Sequence, residues 1–147
     1  MLSPIFDLEV EVATPQSIGR GEMGERRCIP IAGGRLKGKL NGKVLPGGAD
    51  WQVLRPDGMA DLDAHYMLVT DAGEQIEVWS RGLRSGPPEV MARLARGESV
   101  DPASYYFRTA LRFETAAPQL QWLVHRLAIG YGERRPDQVL LKVYAVD

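Results

Sequence analysis

Three stretches bring chemically capable side chains close together. In PGGADWQVLRPDG (residues 46–58) an acid and a tryptophan follow a double glycine. Asp50 at the mouth of a barrel would serve as a general base, its pKa raised by partial burial. Strand alternation sends Asp50 and Trp51 to opposite faces, so both line one lumen only if a bulge at the glycines intervenes. The competing assignment has Asp50 capping the turn and Trp51 filling core. In the second stretch His65 shares a strand face with Asp61 and Asp63, and across a hairpin with Trp79 and Arg81. An imidazole among carboxylates and a guanidinium can shuttle protons near neutral pH. That face is either the solvated outside of a half-exposed sheet or the lumen, with the apolar face covered by a partner subunit. In the third, YYFRTALRFET, Tyr106, Arg108, Arg112 and Glu114 fall on one face, and Phe107, Thr109, Leu111 and Phe113 on the other. Two arginines, a tyrosine and a glutamate are the groups that hold a carboxylate substrate. They are equally the groups of a solvated strand with a cross-strand ion pair.

Other chemistries find no support. The two histidines, His65 and His125, lie in different segments, and Cys28 is the single cysteine. No metal-ligand spacing exists. There is no G-x-S-x-G elbow and no GK[ST] phosphate loop, although GRGEMG and GGRLKGKLNGK are glycine-rich. The basic run of Arg35, Lys37, Lys39 and Lys43 reads as a solvated face and not a nucleic-acid groove. Cys28, beside Arg26 and Arg27, reads as an inert thiol in an apolar strand. The expectation is chemistry without cofactor or metal.

Strands must position these groups. In IFDLEVEV, Phe6, Leu8, Val10 and Val12 alternate with acids, the pattern of a strand with one buried face. RRCIPIAGG reads as a weaker strand, which Pro30 assigns to an edge or a bulge. In KLNGKVL, Asn41-Gly42 suits a tight turn. MADLDAHYMLVTDAGEQIEVWSRG is the clearest hairpin. With Asp71-Ala72-Gly73 as its loop and Gly73 at positive φ, Leu68 faces Ile76, Tyr66 faces Val78, His65 faces Trp79 and Asp63 faces Arg81. GPPEVMARLARG reads as a short helix over about residues 87–96, with prolines in its first turn, a Val90-Met91-Leu94 stripe and Gly97 closing it. YYFRTALRFET, LQWLVHRLAIGYG and QVLLKVYAV read as further strands, and SIGRGEMGER as a mobile loop. The sum is an all-β chain: one small antiparallel β-barrel of about 8–10 strands with one short helix, a single domain over residues 1–147.

Composition agrees with that size and class. A chain of 147 residues, 44% hydrophobic and 25% charged, is one globular domain able to bury a core without disulfides. A net charge of -1 provides no basic field for nucleic acid. No basic-then-apolar leader opens the chain and no apolar run reaches membrane-spanning length, so the expected location is the cytoplasm.

The order PIAGG, LPGGADWQ, RPDG, RGLRSGPPEVMARLARGE, YYFRT, RFET and GERRPD resembles the bacterial DUF3237 family, also called UPF0311, over nearly the whole chain. The resemblance implies a small β-barrel and no assigned activity. Two positions depart from the family pattern. Ser80 stands where an asparagine often precedes the arginine, and Val124 follows Trp122-Leu123 where the pattern often has asparagine.

The leading expectation is a small-molecule-binding barrel, an enzyme doing proton transfer of isomerase, lyase/hydratase or cyclase type on a small organic, carboxylate-bearing substrate. Asp50, Glu114 and His65 are the candidate catalytic groups. Trp51, Arg81, Tyr106, Arg108 and Trp122 are the candidate substrate contacts. Two other readings stand beside it: a non-catalytic carrier of a small apolar acid, and a barrel built for protein contact as a homodimer or higher homo-oligomer.

Overall fold

The computed structural model describes residues 1–147. Ten strands form one antiparallel sheet: β1 (Leu2–Val12), β2 (Gln16–Gly21), β3 (Gly24–Gly38), β4 (Gly42–Val44), β5 (Ala49–Leu54), β6 (Ala60–Thr70), β7 (Gln75–Ser85), β8 (Tyr106–Glu114), β9 (Ala128–Arg134) and β10 (Gln138–Val146). Two short helices, α1 (Pro88–Ala95) and α2 (Gln121–Val124), interrupt them. Neighbours run β1-β10-β9-β8-β7-β6, then β4 and β5, then β3, which pairs back with β1 and closes the barrel. β4 and β5 share one place in the ring, since both bridge β3 and β6. β2 lies outside it, pairing only with β3 as a continuation of β1. No helix is long and apolar enough to cross a membrane.

The alternating pattern sorts the residues. Leu8, Val10, Leu62, Tyr66, Leu68, Ile76, Val78, Leu111 and Phe113 are buried, while their sequence neighbours reach solvent or the outer face. The β6–β7 hairpin has the register its sequence demands: Leu68 opposite Ile76, Tyr66 opposite Val78, His65 opposite Trp79 and Asp63 opposite Arg81. Gly73 in its loop has φ 86°.

Four segments differ from the sequence expectation. RRCIPIAGG is no edge; it lies within the 15-residue β3, paired on both sides. Pro30, lacking an N–H, sits where β3 changes partner: pairing with β2 ends at Cys28 and pairing with β1 begins at Ile31. A register shift follows at once, between Glu11 and Val12 of β1. SIGRGEMGER is ordered as the β2–β3 hairpin. In LQWLVHRLAIGYG the first half is helical, so the barrel carries two helices and not one. Pro118 opens a 3-10 turn, Gln121 Nε2 donates to the Thr115 and Ala117 carbonyls (2.9 and 3.1 Å), and Leu120 and Leu123 bury at helical spacing. In KLNGKVL the turn precedes Asn41-Gly42: Gly42 already belongs to β4, and Asn41 Oδ1 accepts from the Gly38 N–H at 3.3 Å.

The barrel's two ends are unlike. At one end Phe6 and Phe113 meet edge to face at 5.8 Å, above Leu123 of α2. At the other, α1 lies across the opening with Met91 and Leu94 buried, and Arg27 Nη1 donates to the Ala95 carbonyl at the helix's C-terminal end (3.2 Å). The inner face of β9 is Ala128, Gly130, Gly132 and Arg134, and its two glycines lie against Thr109, Leu111 and Phe107 of β8. A Cβ on Gly132 would stand 2.7 Å from three ring carbons of Phe107. Gly132→Ala is therefore expected to destabilise by about 1–3 kcal/mol through overpacking. The effect reads out as a lower urea midpoint at unchanged m; an unchanged midpoint would show that the ring moves aside freely.

Candidate functional site

The α1 end of the lumen is where polar groups gather. Its framework is the break between β4 and β5. Val44 pairs with Leu68 and Ala49 with His65, so five steps along one chain match three along the other. The two extra residues are accommodated at Pro46–Gly48, where Gly47 takes φ 108°. Past the break, Asp50 pairs with inward-facing Ala64 and Trp51 with outward-facing Asp63. Asp50, Gln52 and Leu54 then point inward, and Trp51 is 46% exposed on the outside.

Asp50 lines a lumen cavity of about 40 Å³ together with Tyr66, Ser80, Thr109 and an apolar wall that includes Val10, Ile31, Leu62, Phe107 and Leu141. The residue as a whole keeps some accessible surface, but its carboxylate is deeply buried. Gln52 Nε2 donates to Asp50 Oδ2 at 2.9 Å, and the Asp63 backbone N–H donates to Oδ1 at 3.3 Å. Burial drives the Asp50 pKa upward, against the Gln52 hydrogen bond and the charges of Arg84 and Arg134. Burial, and then the Asp50 charge, likewise pushes the Tyr66 hydroxyl above its ordinary range, so it remains a neutral donor.

Around this acid stand polar atoms that the protein does not satisfy. Gln52 Oε1, Tyr66 Oη, Thr109 Oγ1 and the Nε and Nη1 of Arg84 are buried with no hydrogen-bond partner in the protein. These five are all the unpartnered buried side-chain atoms of the chain, and each calls for an explanation such as a bound water or ligand. Arg134 is better satisfied: its Nη1 donates to the Gln138 carbonyl (3.3 Å), and its backbone N–H donates to Tyr105 Oη (2.9 Å). Burial lowers the pKa of Arg84 to about 10, and also lowers those of Arg134 and Arg27. Arg84 still carries its charge at neutral pH.

The other sequence candidates lie outside the barrel, away from Asp50. His65 stacks on Trp79 (centroids 5.0 Å apart) with its Nε2 2.6 Å from Glu77 Oε2. Arg81 Nε stands 3.7 Å from Asp63. Arg108 lies between the rings of Tyr106 (5.2 Å) and Tyr131 (4.0 Å), on the outer wall. Glu114 is exposed opposite Glu77, and Trp122 is exposed on α2 near Lys39 Nζ (6.0 Å). The reason is parity. In each strand the apolar partners occupy the inner positions, which forces the intervening His65, Arg81, Tyr106, Arg108 and Glu114 outward.

Sequence reasoning missed Gln52, Arg84 and Arg134, and took Tyr66 and Thr109 only as members of apolar faces. One signal was present: a polar residue in step with an apolar series. Val78-Ser80-Gly82-Arg84 and Phe107-Thr109-Leu111 each carry it. Ser80, where the family pattern often has asparagine, lines the cavity; Val124, the second departure, does not.

Comparison with known proteins follows the same outline. The model of DUF3237, a protein of unknown function, matches residues 1–146. A UPF0311 protein of Rhodopseudomonas palustris is 43% identical over 97% of this chain and 94% of its own length. The crystal structure of a beta-barrel like protein from Acinetobacter baumannii superposes with TM-score 0.88 at 37% identity, covering 100% of this chain and 96% of that one. An enzyme from Penicillium herquei shares the fold at TM-score 0.72 and 18% identity, over 97% and 93% of the two chains. At that identity the likeness is one of fold alone.

The buried carboxylate makes a stability prediction with a definite sign. Asp50 has a folded pKa above its ordinary value of 3.8, so between the two the native state holds a proton that the unfolded chain has released. Its contribution to stability is present at low pH and declines as pH rises toward the folded pKa. Asp50→Asn removes that titration, and Gln52 can turn its unpartnered Oε1 to the new amide. The melting temperature of Asp50→Asn relative to the parent should climb as pH is raised above about 4 and level off beyond the folded pKa. A difference that is flat with pH would place the carboxylate in a water-like environment.

Proposed function

We propose that this chain, which belongs to the DUF3237 (UPF0311) family, binds a small organic molecule in the α1 end of its barrel and transfers a proton to or from it through Asp50. The observation that carries the reading is the convergence of the buried Asp50 carboxylate and the unpartnered Tyr66, Thr109 and Arg84 atoms on one end of the lumen. A buried acid with a raised pKa is suited to general acid–base work near neutral pH. Beside it, a neutral tyrosine hydroxyl and a guanidinium are donors that stabilise developing negative charge on a substrate oxygen. Nine of the twelve residues that line the cavity are hydrophobic, which suits an apolar substrate body and keeps water from the reacting atoms. The reaction class that fits is proton transfer next to a carbonyl or across a double bond: isomerisation, addition or elimination of an oxygen group, or ring closure.

The cavity limits what enters. A volume of about 40 Å³ holds a few waters or the reacting head of a substrate, while a drug-sized ligand needs roughly 300 Å³ or more. A larger substrate therefore places its remainder outside the lumen. A groove of about 440 Å³ lies between α1 and the β5–β6 turn, lined by Leu54, Pro56, Asp57, Gly58, Arg84 and Met91.

The test does not require the physiological substrate. Small ketones and conjugated acids are incubated with the protein in heavy water, and deuterium uptake at carbon is followed by proton NMR. Catalysed uptake is expected for at least one probe, rising with pH as Asp50 ionises. In Asp50→Asn it should fall by about 10²–10⁴-fold with the fold intact. Uptake that survives Asp50→Asn removes Asp50 from the chemistry. Saturable binding without any uptake makes the barrel a carrier.

A further inference from the structure

Arg84 is the least satisfied charge in the molecule. It sits on β7, paired with Ala60 on one side and Phe107 on the other, and is 3% exposed. Its guanidinium carbon lies 5.2 Å from the centre of the Phe107 ring, which lines the lumen, and the residue also borders the groove under α1. It thus stands between Phe107 of the lumen wall and the groove. The buried Arg134 is engaged with the Gln138 carbonyl and the half-buried Arg27 with the Ala95 carbonyl. None of the three forms a salt bridge within the chain. Asp50 is the inward-facing carboxylate near them, and burial favours its neutral form. Glu25 acts on Arg27 and Asp137 on Arg134, whereas Arg84 has no hydrogen bond or salt bridge to any of these carboxylates, and a buried guanidinium left so is costly unless an anion arrives to offset it.

Resting on the reading that the lumen is a small-molecule site, we infer that its ligand carries a carboxylate which Arg84 binds beside Phe107, setting specificity for acids over neutral molecules. A planar carboxylate offers two acceptor oxygens to a planar fork of donors, and on Arg84 two of the three nitrogens have buried, uncommitted hydrogens. Burial lowers the guanidinium's pKa only to about 10, so it remains a cation wherever the acid is ionised. The apolar body of the acid then projects either into the lumen, against Phe107 and Leu62, or along the groove, against Leu54 and Met91. A phosphate matches this setting less well, since its second charge and third oxygen would face an apolar wall.

Matched probes test it: phenylacetate against phenylacetamide, and isobutyrate against isobutyramide, titrated by NMR into isotope-labelled full-length protein. Each acid should bind at least about tenfold more tightly than its amide and shift the resonances of Leu83, Arg84 and Phe107. Arg84→Gln should erase the preference, bringing acid affinity down to that of the amide. Arg84→Lys, which keeps the charge and loses the fork, should retain part of it, and serves as the readout if Arg84→Gln folds poorly. Acid and amide binding equally, with shifts at Ser80 and Thr109, would overturn the carboxylate assignment and leave the lumen site standing. A preference that persists in both Arg84 variants would overturn it as well. If neither pair shifts any lumen resonance, the carboxylate assignment and the lumen reading fall together.

Discussion

Closure of the sheet by the β1–β3 pairing is the constraint on which the rest depends. In an open sheet a strand can expose either face. In a closed ring each strand has one inside, and the register with its neighbours fixes which residues occupy it. Asp50, Gln52, Ser80, Arg84, Thr109 and Arg134 point inward because Leu62, Val78, Leu111 and Leu141 on the same or adjoining strands do. They cannot turn out without reversing a whole strand's parity. Closure therefore converts a local sequence choice into a buried polar cluster, and the cost of burying it falls on the global fold.

That cost is offset at the opposite end. There Leu68, Ile76, Phe113, Val143, Phe6 and Leu123 fill the lumen without a polar atom among them, and α2 seals it. The division of labour is spatial: one half of the barrel supplies packing, the other holds groups that packing alone would not select. The small inner face of β9 sits between the halves. Gly130 and Gly132 give room to Leu111 and Phe107, and through Phe107 they set the floor on which Arg84 rests. A site of this kind is less stable than an apolar core of the same shape would be, as functional sites commonly are.

Much of the fold was legible because hydrophobic alternation and turn residues agree with each other. The β6–β7 hairpin is the clearest case: its register follows from Asp71-Ala72-Gly73 together with the matching of Tyr66 to Val78 and Asp63 to Arg81. α2 was hidden because Leu120 and Leu123 lie in a continuous apolar run whose period cannot distinguish helix from strand. β3 reads as weak because Pro30 argues for an edge or a bulge; it is no edge, but a register shift lies beside it where the partner changes from β2 to β1. Asp50 was legible from the double glycine before it. Arg84 was overlooked: its parity with Val78 separates it from outward Arg81, but Ser80 and Gly82 interrupt the apolar series that would have drawn notice to it. Clusters such as His65 with Trp79 or Tyr106 with Arg108 attract attention by composition, yet their neighbours' burial sends them to the outer wall.

The surroundings of Asp50 bear on why an acid rather than a neutral group stands there. Burial raises its pKa, while Arg84 and Arg134 act in the opposite direction. A group held by such opposed influences is not locked into either protonation state. Gln52 adds to this balance. Its amide nitrogen donates to the carboxylate, and its oxygen has no partner. Rotating the amide by half a turn would offer that oxygen to a protonated Asp50, so one side chain can serve the ion and the acid in turn. The Asp63 N–H, a donor on the other oxygen, would stay with the unprotonated atom in both states. A purely structural carboxylate would gain from fixed donors that hold it ionised. An arrangement that accommodates both states at little cost is the one a proton-transferring residue requires.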